Sequence, residues 1–174
     1  MERDHMGTPT VTLVLTSPAP STRQMIHNQL VGHTFIRLDY GDGRVLYRGL
    51  HGTRMTLTQI LRKSDVTGEI KDDISFEWDV AKTYEITTQG ADKIKEFIDN
   101  YQRSYNIVSN NCTTFAIEAL HAGGVSVPTS KHHWRLYKGF LGFLFKSLTG
   151  LVGFYGYTPA DAVEDIKLTH DYYV

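Results

Sequence analysis

The chain has 174 residues, 41% hydrophobic and 21% charged, with a net charge of −1. Those values suit one globular domain over 1–174 with a sizeable core, and they give no electrostatic case for nucleic acid or an anionic membrane as partner. A single cysteine excludes an intramolecular disulfide and leaves the redox compartment open.

Residues 1–9 begin charged and polar and read as lacking fixed structure or, around Asp4-His5-Met6, as a tag remnant. The apolar run 11–15, broken by Thr12 and followed by Pro18 and Pro20, is too short for a secretory signal and reads as a strand over 10–16. No stretch approaches the ~18 apolar residues of a spanning helix. The expectation is a protein made in the cytoplasm without a conventional signal peptide. A polar, proline-containing loop leads to a hairpin of two β-prone runs, 31–39 and 44–50, turned at Tyr40-Gly41-Asp42-Gly43, where the glycines supply positive φ. Centring the turn on Asp42 sets His33 opposite His51 and Phe35 opposite Gly49; a slip of one residue would turn His51 to the other face.

A short helix over 56–63 follows, capped by Thr56 or Thr58, then strands over 74–80 and 84–88. Ile94, Phe97, Ile98 and Tyr101 form an apolar stripe of helical period within 89–101. No internal repeat, low-complexity tract or linker divides the chain.

The stretch from Tyr105 to Pro128, YNIVSNNCTTFAIEALHAGGVSVP, carries the cysteine. Asn110 and Asn111 are good N-cap residues, Phe115, Ala116, Ala119 and Leu120 repeat as one buried helical face, and Gly123-Gly124 ends the helix. Cys112 would then sit among unpaired N–H groups at the positive end of the helix dipole, which favours thiolate over thiol and offers donors to an oxyanion. Two readings stand for it at this point, nucleophile and small buried hydrophobe.

Beyond Pro128 the pattern weakens. Residues 131–134 are polar and histidine-rich, and 137–157 is aromatic, apolar and broken by glycines, with Lys138 and Lys146 inside it. The expectation is a helical and aromatic extension over 129–174, its middle packing on the core as helical turns and a loop. The alternatives for 137–157 are the wall of a substrate groove or a surface that touches a membrane or a partner. Thr158, Pro159 and Asp161 mark the cap and first turn of a last helix.

A cysteine nucleophile needs a general base, usually histidine, and that histidine needs an orienting partner. Of eight histidines, His5 lies at the start, His27 in a loop, His132 and His133 side by side, and His170 near the end. His121 stands about two and a half helical turns beyond Cys112, out of reach. His33 differs, following Gly32 at the start of a strand with Phe35, where a polar ring needs a reason.

Gly32-His33-Thr34-Phe35-Ile36-Arg37, followed later by Tyr105 and Asn111-Cys112-Thr113-Thr114-Phe115, resembles the circularly permuted branch of the papain-like cysteine hydrolases. That branch groups NlpC-type cell-wall peptidases, lecithin:retinol acyltransferase relatives and several bacterial hydrolase families. The resemblance covers almost the whole chain up to Pro128. It implies an α+β fold, a small antiparallel sheet carrying the histidine and packed against a helix with the nucleophilic cysteine at its N-terminus. Carried over residue by residue, it makes Cys112 the nucleophile and His33 the base. The third position in the family is a polar residue on the strand after the histidine strand, for which the hairpin register offers His51; Asp39 and Asp42 sit at the turn, too far along to reach His33. A second histidine there resembles the acyltransferase side of the branch. Tyr105 either lines the site or donates to the oxyanion, or else packs in the core. The Cys112 amide is the expected oxyanion donor, with Asn110 and Asn111 as helpers or as caps.

No cofactor or metal is implied, since no histidine pair has the spacing of an H-E-x-x-H or Cys/His zinc motif and no glycine-rich phosphate loop precedes a helix. Three functions follow: a cysteine amidase or peptidase acting on peptide or peptidoglycan, as in cell-wall hydrolases and antibacterial effectors exported by a specialised secretion system to a target-cell periplasm; a lipid-directed acyltransferase or thioesterase; or a non-catalytic binding module. The first would bring an immunity or inhibitor protein as partner.

Overall fold

In the computed structural model, which describes residues 7–16, 32–53, 59, 62–102, 104–129, 131–135 and 153–169, the β-branched runs assemble one antiparallel sheet. Its strands are β1 (Thr10–Thr16), β2 (His33–Asp39), β3 (Val45–Gly52), β4 (Val66–Lys71), β5 (Val80–Glu85) and β6 (Ser104–Tyr105), in the order β5-β1-β2-β3-β4-β6. The helices are α1 (Thr88–Asp99), α2 (Cys112–Ala122) and α3 (Pro159–Lys167). A second pair of strands, β7 (His132–Arg135) and β8 (Gly153–Gly156), forms a separate two-stranded sheet. The class is α+β.

β1 is paired on both sides, to β2 and β5, which explains why Val11 to Leu15 are all buried although the run includes Thr12. The Thr12 hydroxyl is satisfied across the ladder by Thr83 at 2.9 Å. Alternation sends Val11, Leu13 and Leu15 of β1, and Ile36 and Leu38 of β2, into one core with Ile94 and Ile98 of α1, Phe115, Ala116, Ala119 and Leu120 of α2, and Val163 and Ile166 of α3. α2 lies inside this packing, so Cys112 to Ile117 are all buried, more than the single face expected of it. Each helix starts on a side-chain cap, Thr87, Asn111 and Thr158, and Pro159 with Asp161 completes the first turn of α3.

Several expectations change. The strands placed at 74–80 and 84–88 are instead a loop followed by β5, and β4 was not foreseen. The alternation of Ile74, Phe76 and Trp78 satisfies a strand pattern, but Ile74 and Trp78 are 68% and 46% exposed and the chain turns there, with Phe76 N–H bonding Asp73 C=O at 3.0 Å. Of the helix expected at 56–63, Gln59 is helical and Arg62 and Lys63 form a turn; the rest lies outside the described residues. The start is tied down at 7–9, where Gly7 N–H bonds Gly41 C=O at 2.7 Å and Pro9 C=O accepts from Ile86 N–H at 2.9 Å. At the other end, 132–135 and 153–156 are strands where an aromatic extension of helical turns was expected, and α3 belongs to the core. Most of the 137–157 segment, with any membrane or groove role for it, lies outside the described residues. No helix among the described residues is long and apolar enough to cross a membrane.

Candidate active site

β2 and β3 are laddered only from Asp39↔Val45 to Ile36↔Arg48; from Gly49 onward β3 is paired instead with β4, Gly49↔Lys71 through Gly52↔Gly68. Where the two strands part, His33 and His51 come to face each other with ring centroids 4.5 Å apart, as the register centred on Asp42 requires. A carboxylate stands between them. Asp73 Oδ2 lies 2.9 Å from His33 Nε2 and Asp73 Oδ1 2.8 Å from His51 Nε2. The three side chains are 4%, 8% and 1% exposed, so water cannot satisfy them and they must satisfy one another.

Gly49 makes this possible. A Cβ there would fall 2.0 Å from Asp73 Oδ2 and 2.9 Å from His33 Nε2, so any larger residue would occupy the space of the hydrogen bond. The acid arrives on the β4–β5 loop, which is anchored beside it by the Arg48–Asp72 ion pair at 3.2 Å. Phe35 stacks on His33 at 5.8 Å, and Phe76 from the same loop covers both imidazoles at 4.8 and 5.9 Å.

Cys112 enters as the first residue of α2. The Asn111 cap accepts from Thr113 and Thr114 N–H at 3.0 Å each, and Phe115 N–H bonds Asn111 C=O, which leaves the Cys112 N–H outside these capping bonds. The start of the helix is pinned to β2 by the Thr34 and Thr113 hydroxyls, 2.9 Å apart. The charged form of the buried thiol is stabilised by the His33 ring, the Thr34 N–H and the Thr113 hydroxyl. With Nε2 of His33 taken by Asp73, Nδ1 is the ring nitrogen left to serve the thiol.

The electrostatics follow from these contacts. Burial alone would lower the pKa of His33, but the bonds to Asp73 and Cys112 outweigh it and raise the imidazole to about 9. Burial alone would raise Cys112, yet the His33 bond and charge, with the Thr34 and Thr113 donors, bring the thiol below its ordinary value. Asp73 likewise stays below the usual carboxylate range, the bonds from His33 and His51 overcoming its burial. The arrangement favours a thiolate–imidazolium pair oriented by a carboxylate. Burial, and then the charge of Cys112, hold the Tyr105 phenol well above its ordinary value, so it keeps its proton beside the thiol.

Cys112, His33, His51 and Tyr105 are therefore brought together. Asn110 and Asn111 are not turned to the thiol. Asn111 Nδ2 donates to Ile107 and Tyr157 C=O at 3.0 and 2.8 Å, and Asn110 Nδ2 donates to Ser104 C=O and Oγ while its Oδ1 accepts from the Tyr101 hydroxyl. His121 is exposed at the far end of α2. Asp73 was missed in the sequence; the signal available was an acid pair, Asp72-Asp73, opening an otherwise strand-like aromatic run. His33, His51 and Asp73 also offer metal-ligating atoms within 4.8 Å of one another, a set that no sequence spacing reveals and that could hold an ion.

No family model, curated protein or solved structure matches this chain.

Proposed function

We propose that the chain is a cysteine hydrolase of the circularly permuted papain-like kind, cleaving an amide bond through a thioester. The observation that carries this reading is the buried His33–Asp73 hydrogen bond at 2.9 Å, on a histidine that also stabilises the charged form of the Cys112 thiol at the start of α2. The third role, sought at His51, passes to Asp73, because it is the carboxylate that touches the His33 ring.

The steps use these groups in order. The Cys112 thiolate adds to the substrate carbonyl, and the oxyanion that forms is met by the Cys112 N–H at the start of α2 and by the neutral phenol of Tyr105. His33 gives its Nδ1 proton to the leaving amine as the C–N bond breaks, leaving a thioester on Cys112. The now neutral Nδ1 takes a proton from water, the hydroxide adds to the thioester, and the acid departs as the thiolate returns. Asp73 keeps the ring in the orientation that serves both transfers.

By analogy with the resembling hydrolases, the substrate class is peptide, with bacterial peptidoglycan foremost and an antibacterial effector restrained by an immunity protein as the setting. A lipid-directed acyl transfer is the second reading, favoured by the exposed Ile74 and Trp78 on the loop that also carries Asp73. One experiment separates them. The purified chain and its Cys112→Ala variant are incubated with peptidoglycan fragments and with phospholipid vesicles, and products are followed by mass spectrometry. New amine and carboxyl termini from wild type alone support the amidase; acyl-chain release or transfer alone supports the second reading. Identical traces from wild type and Cys112→Ala on both would sink catalysis and leave a binding module.

A further inference from the structure

We infer that His51 is a positioning residue: by holding the second oxygen of Asp73 it fixes the carboxylate that orients His33, so that the working unit is Cys112–His33–Asp73–His51. The inference rests on the proposed roles of Cys112 and His33.

The argument starts from where Asp73 comes from. It lies on a loop, not on a strand, and the chain turns immediately after it, with Ile74 N–H bonding the Asp72 carboxylate at 3.1 Å and Phe76 N–H bonding Asp73 C=O. A carboxylate on a loop with one hydrogen bond can turn about its Cβ–Cγ axis, and His33 Nε2 would then lose its acceptor. His51 removes that freedom. Its Nε2 reaches Asp73 Oδ1 at 2.8 Å, and since an ionised carboxylate only accepts, that nitrogen carries the proton and donates. The histidine is itself held by rigid parts: it pairs with Glu69 in the β3–β4 ladder and follows Leu50, which is buried in the core. At the next residue, a Cβ on Gly52 would lie 2.6 Å from the Tyr105 ring, so the end of β3 is closely covered. Phe76 packs against both imidazoles and keeps water from competing for the carboxylate. His51 thus acts through Asp73; its Nε2 is aimed at the carboxylate and not at the His33 ring.

The test needs no substrate. Iodoacetamide alkylation of Cys112 in the full chain, at about pH 6, reports the thiolate that His33 sustains. His51→Gln places an amide N–H near the position of Nε2 and keeps the bond to Asp73, whereas His51→Asn is equally polar but falls short of it. The expected result is a Gln variant within about twofold of wild type and an Asn variant about tenfold slower, the loss that a one-unit rise in thiol pKa produces. Circular dichroism confirms that both fold, and comparison between two polar variants keeps a packing defect from imitating the effect. Fast labelling that His33→Ala abolishes, with equal rates for Gln and Asn, would overturn the role of His51 alone. Labelling no faster than an ordinary exposed thiol and unchanged by His33→Ala would overturn the Cys112–His33 reading, and this inference with it.

Discussion

Toward the turn, β2 and β3 are joined rung by rung through their backbones, from Asp39↔Val45 to Ile36↔Arg48. Toward the other end the same two strands are joined by side chains, His33 to Asp73 to His51. Where the ladder opens, each strand keeps its place in the sheet through its other edge, His33 to Phe35 paired with β1 and Gly49 to Gly52 with β4. A central position in the sheet thus lets two strands separate at one end and take a buried carboxylate between them. The closed half positions; the open half holds the proposed site.

Two glycines of the hairpin offer the strongest way to break this contrast. Gly43 sits in the turn with φ of 92° and nothing near its missing Cβ, while Gly49 sits at the opening with Asp73 Oδ2 in that space. Gly49→Ala must displace the Asp73 carboxylate from His33, and misplacement of a catalytic group by about 1 Å costs on the order of 100-fold in turnover. Gly43→Ala strains the turn by about 1 kcal/mol and leaves turnover alone. Turnover and denaturant midpoints for both variants check this; equal losses of turnover would mean that the opening has no special role.

How much of this could be read in advance divides along the same line. The closed half was legible: Gly41-Asp42-Gly43 fixes the turn, the turn fixes the register, and the register brings His33 toward His51. The start of α2 was legible for the same local reason, since Asn111 and the spacing after Cys112 signal a cap and a helix. Asp73 was not, because its partners are 40 and 22 residues away in the chain and its own neighbourhood imitates a strand. A loop that buries one acid while exposing Ile74 and Trp78 has the same alternation as an edge strand, and only the third dimension separates them. Nor could Gly49 be read, since what it avoids comes from that same loop.

The charges in the open half give a second prediction, of intermediate size. His33 is raised from 6.5 to about 9 and Cys112 is lowered from 9.0, so the ion pair exists between the lowered thiol value and about 9. Hydrolysis should rise as the thiol ionises and fall about tenfold per pH unit above about 9, where His33 can no longer protonate the leaving amine, whereas alkylation by iodoacetamide should not fall there. Stability follows from both groups. The raised His33 stabilises fully below its unfolded value of about 6.5 and loses that contribution as pH rises through about 9, while the lowered Cys112 gains stability up to its unfolded value of 9.0. Between about 6.5 and 9 the folded pair and the unfolded chain bind the same number of protons, so the gap in melting temperature between wild type and His33→Gln should stay nearly flat across that window. Alkylation and hydrolysis falling together would show that His33 is not the acid.

The smallest expected effect concerns the seam where the open half meets α2. Thr34 and Thr113 are fully buried and their hydroxyls lie 2.9 Å apart, while the Thr34 N–H separately stabilises the charged form of the Cys112 thiol. Thr34→Val keeps the shape and the backbone donor and removes only the hydroxyl. The Thr113 hydroxyl stays beside the Cys112 thiol whose charged form it stabilises, and the expected cost is that of one buried hydrogen bond, about 1 kcal/mol. Alkylation of Cys112 should slow by no more than about threefold, because the donors acting directly on the sulfur are retained. Equilibrium unfolding and alkylation rates measure the two parts separately. A tenfold slowing without loss of stability would mean that the thiol depends on the exact seating of the first turn of α2 against β2, and that the side-chain network of the open half extends across the sheet into the helix cap.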